Sequence, residues 1–299
     1  MRIGYIMSHA SGLSRSDFHF LALRFDQRYG FKPGEGESWI LRYKDGTLSS
    51  LRGGLGYFTS LWHSPAGHVY VASAYSAVHV NPDPGLRAAP WQEHKLEGVL
   101  AGVWGLDDRF VLAWGIHRGK GIMYRFDGKK WSSIESPGEI YGVHGLAPNL
   151  VYAVGVKGLI ARWDGARWKK FPSPTKAVLS GVFVADEGEM YAVGDGVVLQ
   201  GSAHGWTEAA EADSHMVGVV KWKGEVLVGA AEEGLMKLVR NKLVPVDPEI
   251  KAERIDSRGE LIVSTPEAIA ISSDGKDFKR LRLKMLEAIF KDQKPTWTK

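Results

Sequence analysis

The stretch Met123–Trp131, "MYRFDGKKW", returns later in the chain as Ile160–Trp168, "IARWDGARW". Each copy has an alternating segment, then Asp-Gly, then a tryptophan. Asp-Gly supplies the positive φ that a tight hairpin turn needs. The two copies therefore predict the same hairpin in two copies of one structural unit.

The unit recurs along most of the chain, with a period of roughly 35 to 45 residues, which is typical of stacked supersecondary units. A first strand recurs as "TSLW", "AGVWG", "YGVHG", "SGVFV" and "VGVVK", and a second follows as "VYVAS", "FVLAWG", "VYAVG", "MYAVG", "VLVGA" and "LIVST". After a third strand, a fourth begins near an aromatic residue or leucine, at Trp91, Trp131, Trp168, Trp206, Leu243 and Phe278. Each unit thus has four short strands, and we expect these large side chains to pack against a neighbouring unit.

Antiparallel four-stranded sheets repeated radially form a β-propeller, which protects its sheet edges by closing the ring. We therefore predict an all-β fold with seven blades in residues 1–283. The blade bounds are about 1–54, 55–97, 98–138, 139–175, 176–212, 213–250 and 251–283. The alternative is six blades, with residues 1–34 as an extension. Residues 284–299 form a basic tail, and apolar residues at helical spacing, ending at Phe290, predict a short amphipathic helix before Pro295.

The motifs "D-G-x-x-W", "G-V-W-G" and "V-Y-A-V-G" resemble bacterial propeller repeats grouped as WD40-like, YVTN-like or BNR (Asp-box)-like. The segment Ser272–Phe278 is similar to an Asp-box but is one residue short. The resemblance covers nearly the whole chain and implies the fold. It also implies that the protein serves as a binding platform for other proteins, because most propellers of this shape have that role.

Composition narrows the classes of function. The chain has 299 residues, no cysteine and a formal charge of +4. From Lys276 to Lys299 eight basic residues face three acidic ones, so this end alone carries +5 and the remainder is nearly neutral. A nucleic-acid-binding protein is disfavoured, since its basic residues should form a broad face. With no apolar run long enough for a signal peptide or membrane helix, we expect a cytoplasmic protein.

Catalytic signals are absent from the sequence. The ten histidines form no H-E-x-x-H pair, and there is no phosphate-binding loop or G-x-S-x-G motif. We therefore expect no catalytic residue, metal or cofactor. An enzymatic function is disfavoured but not excluded by the sequence. Asp107, Asp108, Asp186 and Glu187 follow first strands, where turn roles are expected. His144 replaces the tryptophan of sister repeats, so it should be a hydrogen-bonded histidine near the channel, with a catalytic or pH-sensing role as the alternative.

Loops that depart from the repeat are the better candidates for binding. On the face that carries the loops between second and third strands, these are Asp26–Ser38 and Gly115–Gly121. On the opposite face they are His9–Asp17 and Asn81–Trp91. Charge on the first face is split between basic early blades and acidic later blades, which suits a folded protein partner. The predicted partner-binding residues are Arg28, Tyr29, Phe31, Lys32, His117, Arg118, Lys120, Lys157, Glu232 and Glu233.

The sequence thus predicts a non-enzymatic propeller that engages a folded protein through loops on one face. A bacterial immunity protein that covers a toxin, or an assembly platform, would fit this description. We expect a monomer apart from its partner. The alternative is a propeller that binds or hydrolyses a glycan at the channel mouth, where aromatic side chains could stack on sugar rings.

Overall fold

The protein is a β-propeller, a ring of antiparallel sheets around a central channel. The computed structural model describes residues 3–28, 30, 36–83 and 90–291. Within them, five sheets have four strands and one has six, and every sheet consists of consecutive strands. No helix in the described ranges is long and apolar enough to cross a membrane.

The first four blades follow the predicted meander. The first blade contains β1 (Ile3–Ser14), β2 (Asp17–Asp26), β3 (Gly36–Lys44) and β4 (Thr47–Leu55), and the second contains β5 (Phe58–His63), β6 (Val69–Ser73), β7 (Ala77–Asn81) and β8 (Gln92–Lys95). The third blade contains β9 (Val99–Asp107), β10 (Phe110–His117), β11 (Lys120–Phe126) and β12 (Trp131–Ile134). The fourth contains β13 (Ile140–Ala147), β14 (Leu150–Gly155), β15 (Ile160–Trp163) and β16 (Trp168–Lys170).

The fifth blade has six strands and the sixth has four. The fifth contains β17 (Leu179–Val184), β18 (Met190–Ser202), β19 (Gly205–Trp222), β20 (Glu225–Ala230), β21 (Gly234–Val239) and β22 (Lys242–Asp247). The sixth contains β23 (Arg254–Asp256), β24 (Leu261–Ser264), β25 (Ala268–Ser272) and β26 (Lys279–Arg282), and it is followed by helix α1 (Lys284–Phe290).

The count of six blades matches the alternative prediction, and the prediction of seven separate four-stranded blades is wrong. The extension that the alternative placed at residues 1–34 is not found, because β1 and β2 are strands of the first blade. The physical reason for the count of six lies in the two long strands of the fifth blade. β18 pairs with β17 up to Gly194 and with β19 from Asp195 onward, with a bulge at Gly196. β19 in turn pairs with β18 up to His215 and with β20 from Met216. β19 runs from Gly205 to Trp222 through the expected blade boundary, so the repeats at 176–212 and 213–250 share one sheet.

The first strand of every repeat lies at the channel. In ring order these inner strands are β1, β5, β9, β13, β17, the second half of β19, and β23, which contacts β1 again and closes the ring. Glycines allow the inner strands to approach closely. A Cβ at Gly142 would lie 3.0 Å from the Cα of Gly181, and one at Gly181 would lie 2.8 Å from the Cα of Gly218. The recurring "G-V" of the first strand is therefore a packing requirement.

The hydrophobic core lies between neighbouring blades. Trp206 is 7% exposed and packs with residues of the preceding blade such as Tyr152. Trp168 contacts Trp163 at a ring distance of 5.5 Å. The expectation that residues at the start of fourth strands serve packing is confirmed at these positions, because such a residue covers the hairpin before it and the adjacent blade.

The repeated Asp-Gly turns have the predicted geometry. The carboxylate of Asp127 accepts hydrogen bonds from the backbone N–H groups of Lys129 and Lys130, at 2.8 and 2.9 Å, and Gly128 has φ 94°. Asp164 and Gly165 repeat this arrangement. These backbone bonds lower the pKa of both carboxyl groups.

Two predicted long loops are instead mostly strand. β1 continues to Ser14, so the segment His9–Asp17 contains only a two-residue turn, and bulges near His9 and Leu13 absorb the extra length. β10 and β11 pair up to His117 and Lys120 across the turn Arg118-Gly119, so Gly115–Gly121 is a tight hairpin. Positive φ at both turn residues matches the twist of the strands. The loops Asp26–Ser38 and Asn81–Trp91 fall partly outside the described residues.

Helix α1 joins the two ends of the ring from the outside. Leu286 and Phe290 are buried, and the ring of Phe290 lies 5.9 Å from that of Tyr5 and 4.9 Å from that of Trp39. The guanidinium of Arg24 lies 5.1 Å from the Phe290 ring centre. The short helix predicted from apolar spacing is thus confirmed, and its apolar face packs on the propeller. The proposed stop at Pro295 lies outside the described residues.

Candidate functional site

Each blade runs between two faces of the ring. The connection face carries the turns between second and third strands and the links from one blade to the next. The hairpin face carries the other two turns of each blade, including Asp127-Gly128. Two features could bind a ligand: the central channel and the connection face.

The channel encloses a cavity of about 630 Å³, lined by all seven inner strands. Small-molecule sites commonly have volumes of about 300 to 1,000 Å³. Its wall has two chemically different sectors, one aromatic and one charged.

The aromatic sector comes from four successive inner strands. We call Trp62, Trp104, His144 and Phe183 the aromatic belt. The ring of His144 lies 5.7 Å from that of Trp104 and is stacked on that of Phe183 at 4.5 Å. All four residues line the cavity. They occupy the same position of the repeat, the one that the sequence analysis identified through His144.

His144 is a hydrogen-bonded inner histidine, as predicted. Its Nδ1 accepts a hydrogen bond from the backbone N–H of Val184, 3.1 Å away. Burial lowers the pKa of His144 to about 4, and the guanidinium of Arg258 acts in the same direction. The imidazole is therefore neutral at physiological pH and adds an aromatic surface, not a charge, to the channel.

The charged sector lies where the last blade meets the first. The guanidinium of Arg258 pairs with the carboxylate of Asp256 at 3.0 Å and also donates to the hydroxyl of Ser11 and the carbonyl of His63. Burial alone would raise the pKa of Asp256, but Arg258 outweighs it and the pKa is lowered. Arg258 also lies over the ring of Trp62, 5.6 Å from its centre. One arginine thus links three blades of the ring.

Two of the acidic residues that follow first strands, Asp107 and Asp186, have the expected turn role, whereas Asp108 links two blades. The carboxylate of Asp108 accepts hydrogen bonds from the hydroxyls of Tyr70, at 2.9 Å, and Ser64, at 3.1 Å. His68 Nδ1 lies 3.0 Å from the same carboxylate. Asp186 accepts from the backbone N–H of Gly188 at 2.7 Å. Among the described residues no group of three histidine or acidic side chains could hold a metal ion.

The connection face exposes apolar side chains on successive blades. We call Leu55, Tyr75, Val99 and Tyr141 the apolar arc; they are 58%, 53%, 55% and 43% exposed. The segments that carry three of them are tied together by hydrogen bonds. The N–H of Ala74 donates to the carbonyl of Tyr57 at 2.9 Å, and the hydroxyl of Ser76 donates to the carbonyl of Gly98 at 2.8 Å. The arc is therefore held on an ordered surface.

Four of the predicted partner-binding residues flank this arc on the third and fourth blades. His117, Arg118 and Lys120 lie at the β10–β11 turn, which adjoins Val99 because Val99 pairs with Ile116. Lys157 lies in the β14–β15 turn of the next blade and is exposed, with φ 57°.

The other predicted residues are dispersed. Arg28 forms an ion pair with Asp26 at 2.6 Å, which lowers the pKa of that carboxyl to about 2. Tyr29, Phe31 and Lys32 lie outside the described residues. Glu232 and Glu233 are exposed in the β20–β21 turn. The carboxylate of Glu232 accepts from the hydroxyl of Ser214 at 2.8 Å, which lowers its pKa. These described positions belong to the connection face, Arg28 on the first blade and Glu232 and Glu233 on the fifth.

Sequence reasoning missed the apolar arc and the charged sector of the channel. Val99 lies two residues before "AGVW" and Tyr141 is the first residue of "YGVH", so an apolar residue at the start of the first strand was the available signal. Arg254 stands where four other repeats have the glycine of the first-strand motif, and that departure was also visible in the sequence.

Comparison with known proteins adds fold-level information. No protein-family model matches the chain, and no curated protein matches it in sequence. Solved structures that resemble it include the WD40 β-propeller domain of Doa1, with a TM-score of 0.66, 12% identity and coverage of 87% of this chain and 90% of that one. The neighbours are propellers. Their low identity to this chain shows the fold alone.

Two further neighbours cover more of this chain. A catalytically inactive virginiamycin B lyase from Staphylococcus aureus, solved with quinupristin, has a TM-score of 0.64 at 12% identity, with coverage of 93% of this chain and 95% of that one. YCF48 bound to D1 peptide has a TM-score of 0.58 at 14% identity, with coverage of 93% and 91%. The propeller is thus similar to proteins crystallised with quite different ligands, so the fold does not select a function.

Proposed function

We propose that the protein is a non-enzymatic propeller that binds a folded protein through its connection face. The apolar arc carries this proposal. Single exposed apolar residues are ordinary on protein surfaces, whereas neighbouring ones on an ordered surface are typical of interaction sites. The propeller fold is compatible with this role, as WD40 propellers typically bind protein partners.

The charges beside the arc indicate the chemistry of the partner. Arg118 and Lys120 are exposed next to Val99, and Lys157 is exposed on the following blade. A partner surface with an apolar centre and acidic residues opposite this basic flank would be complementary. The acidic side chains Glu232 and Glu233, on the far side of the ring, would disfavour the reverse orientation. Charge would thus set encounter rate and orientation, and the arc would supply most of the affinity.

Within this class we propose a cytoplasmic immunity protein that covers a toxin, or an assembly platform, acting as a monomer apart from its partner. The two differ in what binding does. An immunity protein abolishes the activity of its partner, whereas a platform leaves that activity intact and brings a third protein to it.

Quantitative capture from the source cell tests the interface. The double variant Tyr75→Ser/Tyr141→Ser removes two aromatic anchors of the arc. The matched control Val239→Ser/Val244→Ser changes two residues that are 39% and 37% exposed away from the connection face. We expect one protein to be captured by the wild type and the control, and lost with the arc variant. Equal capture by both variants would refute the placement of the interface on the apolar arc.

Association kinetics with the captured protein then test the basic flank. Arg118→Glu should slow association severalfold at low salt and less at high salt, with little change in dissociation. An unchanged association rate would show that the basic flank is not part of the interface, and it would leave the assignment of the apolar arc intact.

A further inference from the structure

Arg254 occupies a position that is glycine in four other repeats, at Gly102, Gly142, Gly181 and Gly218. It pairs with Ser264 of β24 in the same register in which Gly218 pairs with Gly229 of β20. A long cationic side chain therefore lines the cavity where its counterparts allow the strands to approach closely. Glycine would be the expected residue if this position served packing alone.

The guanidinium of Arg254 has no hydrogen-bond or ion-pair partner among the described residues. The carboxylate nearest in the same strand, Asp256, is paired with Arg258. Burial lowers the pKa of Arg254, and Asp256 acts in the opposite direction. Of the other cavity charges, Lys221 is paired with Glu189, and Asp186 lies at the hairpin-face rim. Arg254 is thus the uncompensated cation of the described channel.

His9 adds a second polar group beside Arg254. It projects from the bulge of β1, the strand next to β23, and has φ 40°. Its Nδ1 is buried without a hydrogen-bond partner. Burial and the charge of Arg254 hold the pKa of His9 well below its ordinary value, so the imidazole is neutral. Leaving such groups unsatisfied costs stability, and an anionic ligand would satisfy both.

The aromatic belt lies two strand residues further toward the hairpin face. Two residues of a strand span about 6.6 Å. A molecule with a carboxylate at the level of Arg254 would therefore place an attached ring system at the level of Trp104 and Phe183. Arginine matches a carboxylate with two parallel N–H donors, and ring faces suit an aromatic body.

We propose that the central channel binds a small aromatic carboxylate, with the carboxylate paired to Arg254 and the ring packed on the aromatic belt. This site is separate from the connection-face surface, and neither proposal depends on the other. The cavity of about 630 Å³ accommodates a ligand of this size.

Calorimetric titration of the full chain with 2-naphthoate tests the assignment. We expect a dissociation constant below about 1 mM, and weaker binding of inorganic phosphate and of neutral 2-naphthalenemethanol. Arg254→Met should weaken 2-naphthoate binding at least about tenfold, the range of a lost charge-assisted pair. Arg254→Lys keeps the charge but loses the two-donor geometry, so its affinity for 2-naphthoate should lie between those of the wild type and Arg254→Met. The control Arg282→Met, at an exposed position, should bind as the wild type does.

Thermal unfolding without ligand provides a readout that does not depend on binding. Because Arg254 is uncompensated, Arg254→Met should unfold at the same temperature as the wild type or higher. A clearly lower temperature would show that the arginine is a structural partner and would overturn the proposal. Absence of 2-naphthoate binding at millimolar concentration, equal binding of phosphate, or Arg254→Met within twofold of the wild type would each overturn it as well.

Discussion

Closure of the ring should depend on the side chain of Phe290. Each blade consists of consecutive strands, so no described sheet combines strands from both ends of the chain. The first and last blades are instead joined by side-chain contacts, by the hydrogen bond from the N–H of Met7 to the carbonyl of Pro266, at 3.1 Å, and by helix α1. Phe290 is the centre of the helix contact, with Tyr5 and Trp39 around it.

The change Phe290→Ala should cost about 3 to 5 kcal/mol, because the ring is 3% exposed and core Phe-to-Ala changes fall in this range. The decrease in the free energy of unfolding has an upper limit. Once the destabilisation exceeds the free energy with which α1 docks on the blades, the helix detaches while the blades remain folded. We therefore expect the lower part of the range in global unfolding and a larger effect on local opening at the joint.

Urea denaturation and amide hydrogen exchange measure the two effects. Phe290→Ala should lower the free energy of unfolding by about 3 kcal/mol and increase exchange selectively in β1 and β26. The control Glu287→Ala changes an exposed residue of the same helix and should stay within about 0.5 kcal/mol of the wild type. If Phe290→Ala behaved like this control in both measurements, ring closure would not rest on the docked helix.

Three further predictions concern the ring itself. Gly181→Ala should destabilise by about 1 to 3 kcal/mol in urea, because the new Cβ would lie 2.8 Å from the Cα of Gly218; an unchanged midpoint would contradict the close approach. Asp108→Ala should cost a similar amount in the same assay, since the buried hydroxyl of Tyr70 loses its acceptor, and Asp108→Asn should cost less. With its folded pKa lowered to about 4, His144 remains neutral in the native state while the unfolded chain takes up a proton below pH 6.5, so wild-type stability should fall between pH 6.5 and 4. His144→Phe should lessen that fall, and identical pH slopes would refute the assignment.

The repeat was readable from local chemistry. Asp127-Gly128 and Asp164-Gly165 specify their turns through backbone geometry and hydrogen bonds within four residues. The glycine and aromatic residue of each first strand, such as Gly142 and His144, mark the inner position in the same way. Signals of this kind are contained in short segments, so they predict strand order, turn type and the placement of His144 beside the channel.

The number of sheets could not be predicted from such local signals. Whether β19 breaks at the blade boundary depends on its pairing with β18, which brings together Asp195 and His215, twenty residues apart. The lengths of two predicted loops were wrong for a related reason. The segment around His9 became strand because a partner strand lies beside it, and bulges accommodate the surplus residue.

By itself, the sequence determined a ring of antiparallel sheets, since alternation, turn chemistry and repeat length act within one unit. Only the tertiary structure decided which side chains meet across units: the hydrogen bond from Arg258 to Ser11, the unpaired Arg254 beside His9, and the exposed apolar arc. The first two depend on how the first and last blades meet, and they join residues more than two hundred positions apart. Contacts at such separations are fixed by the closure of the whole ring, and no local pattern encodes them.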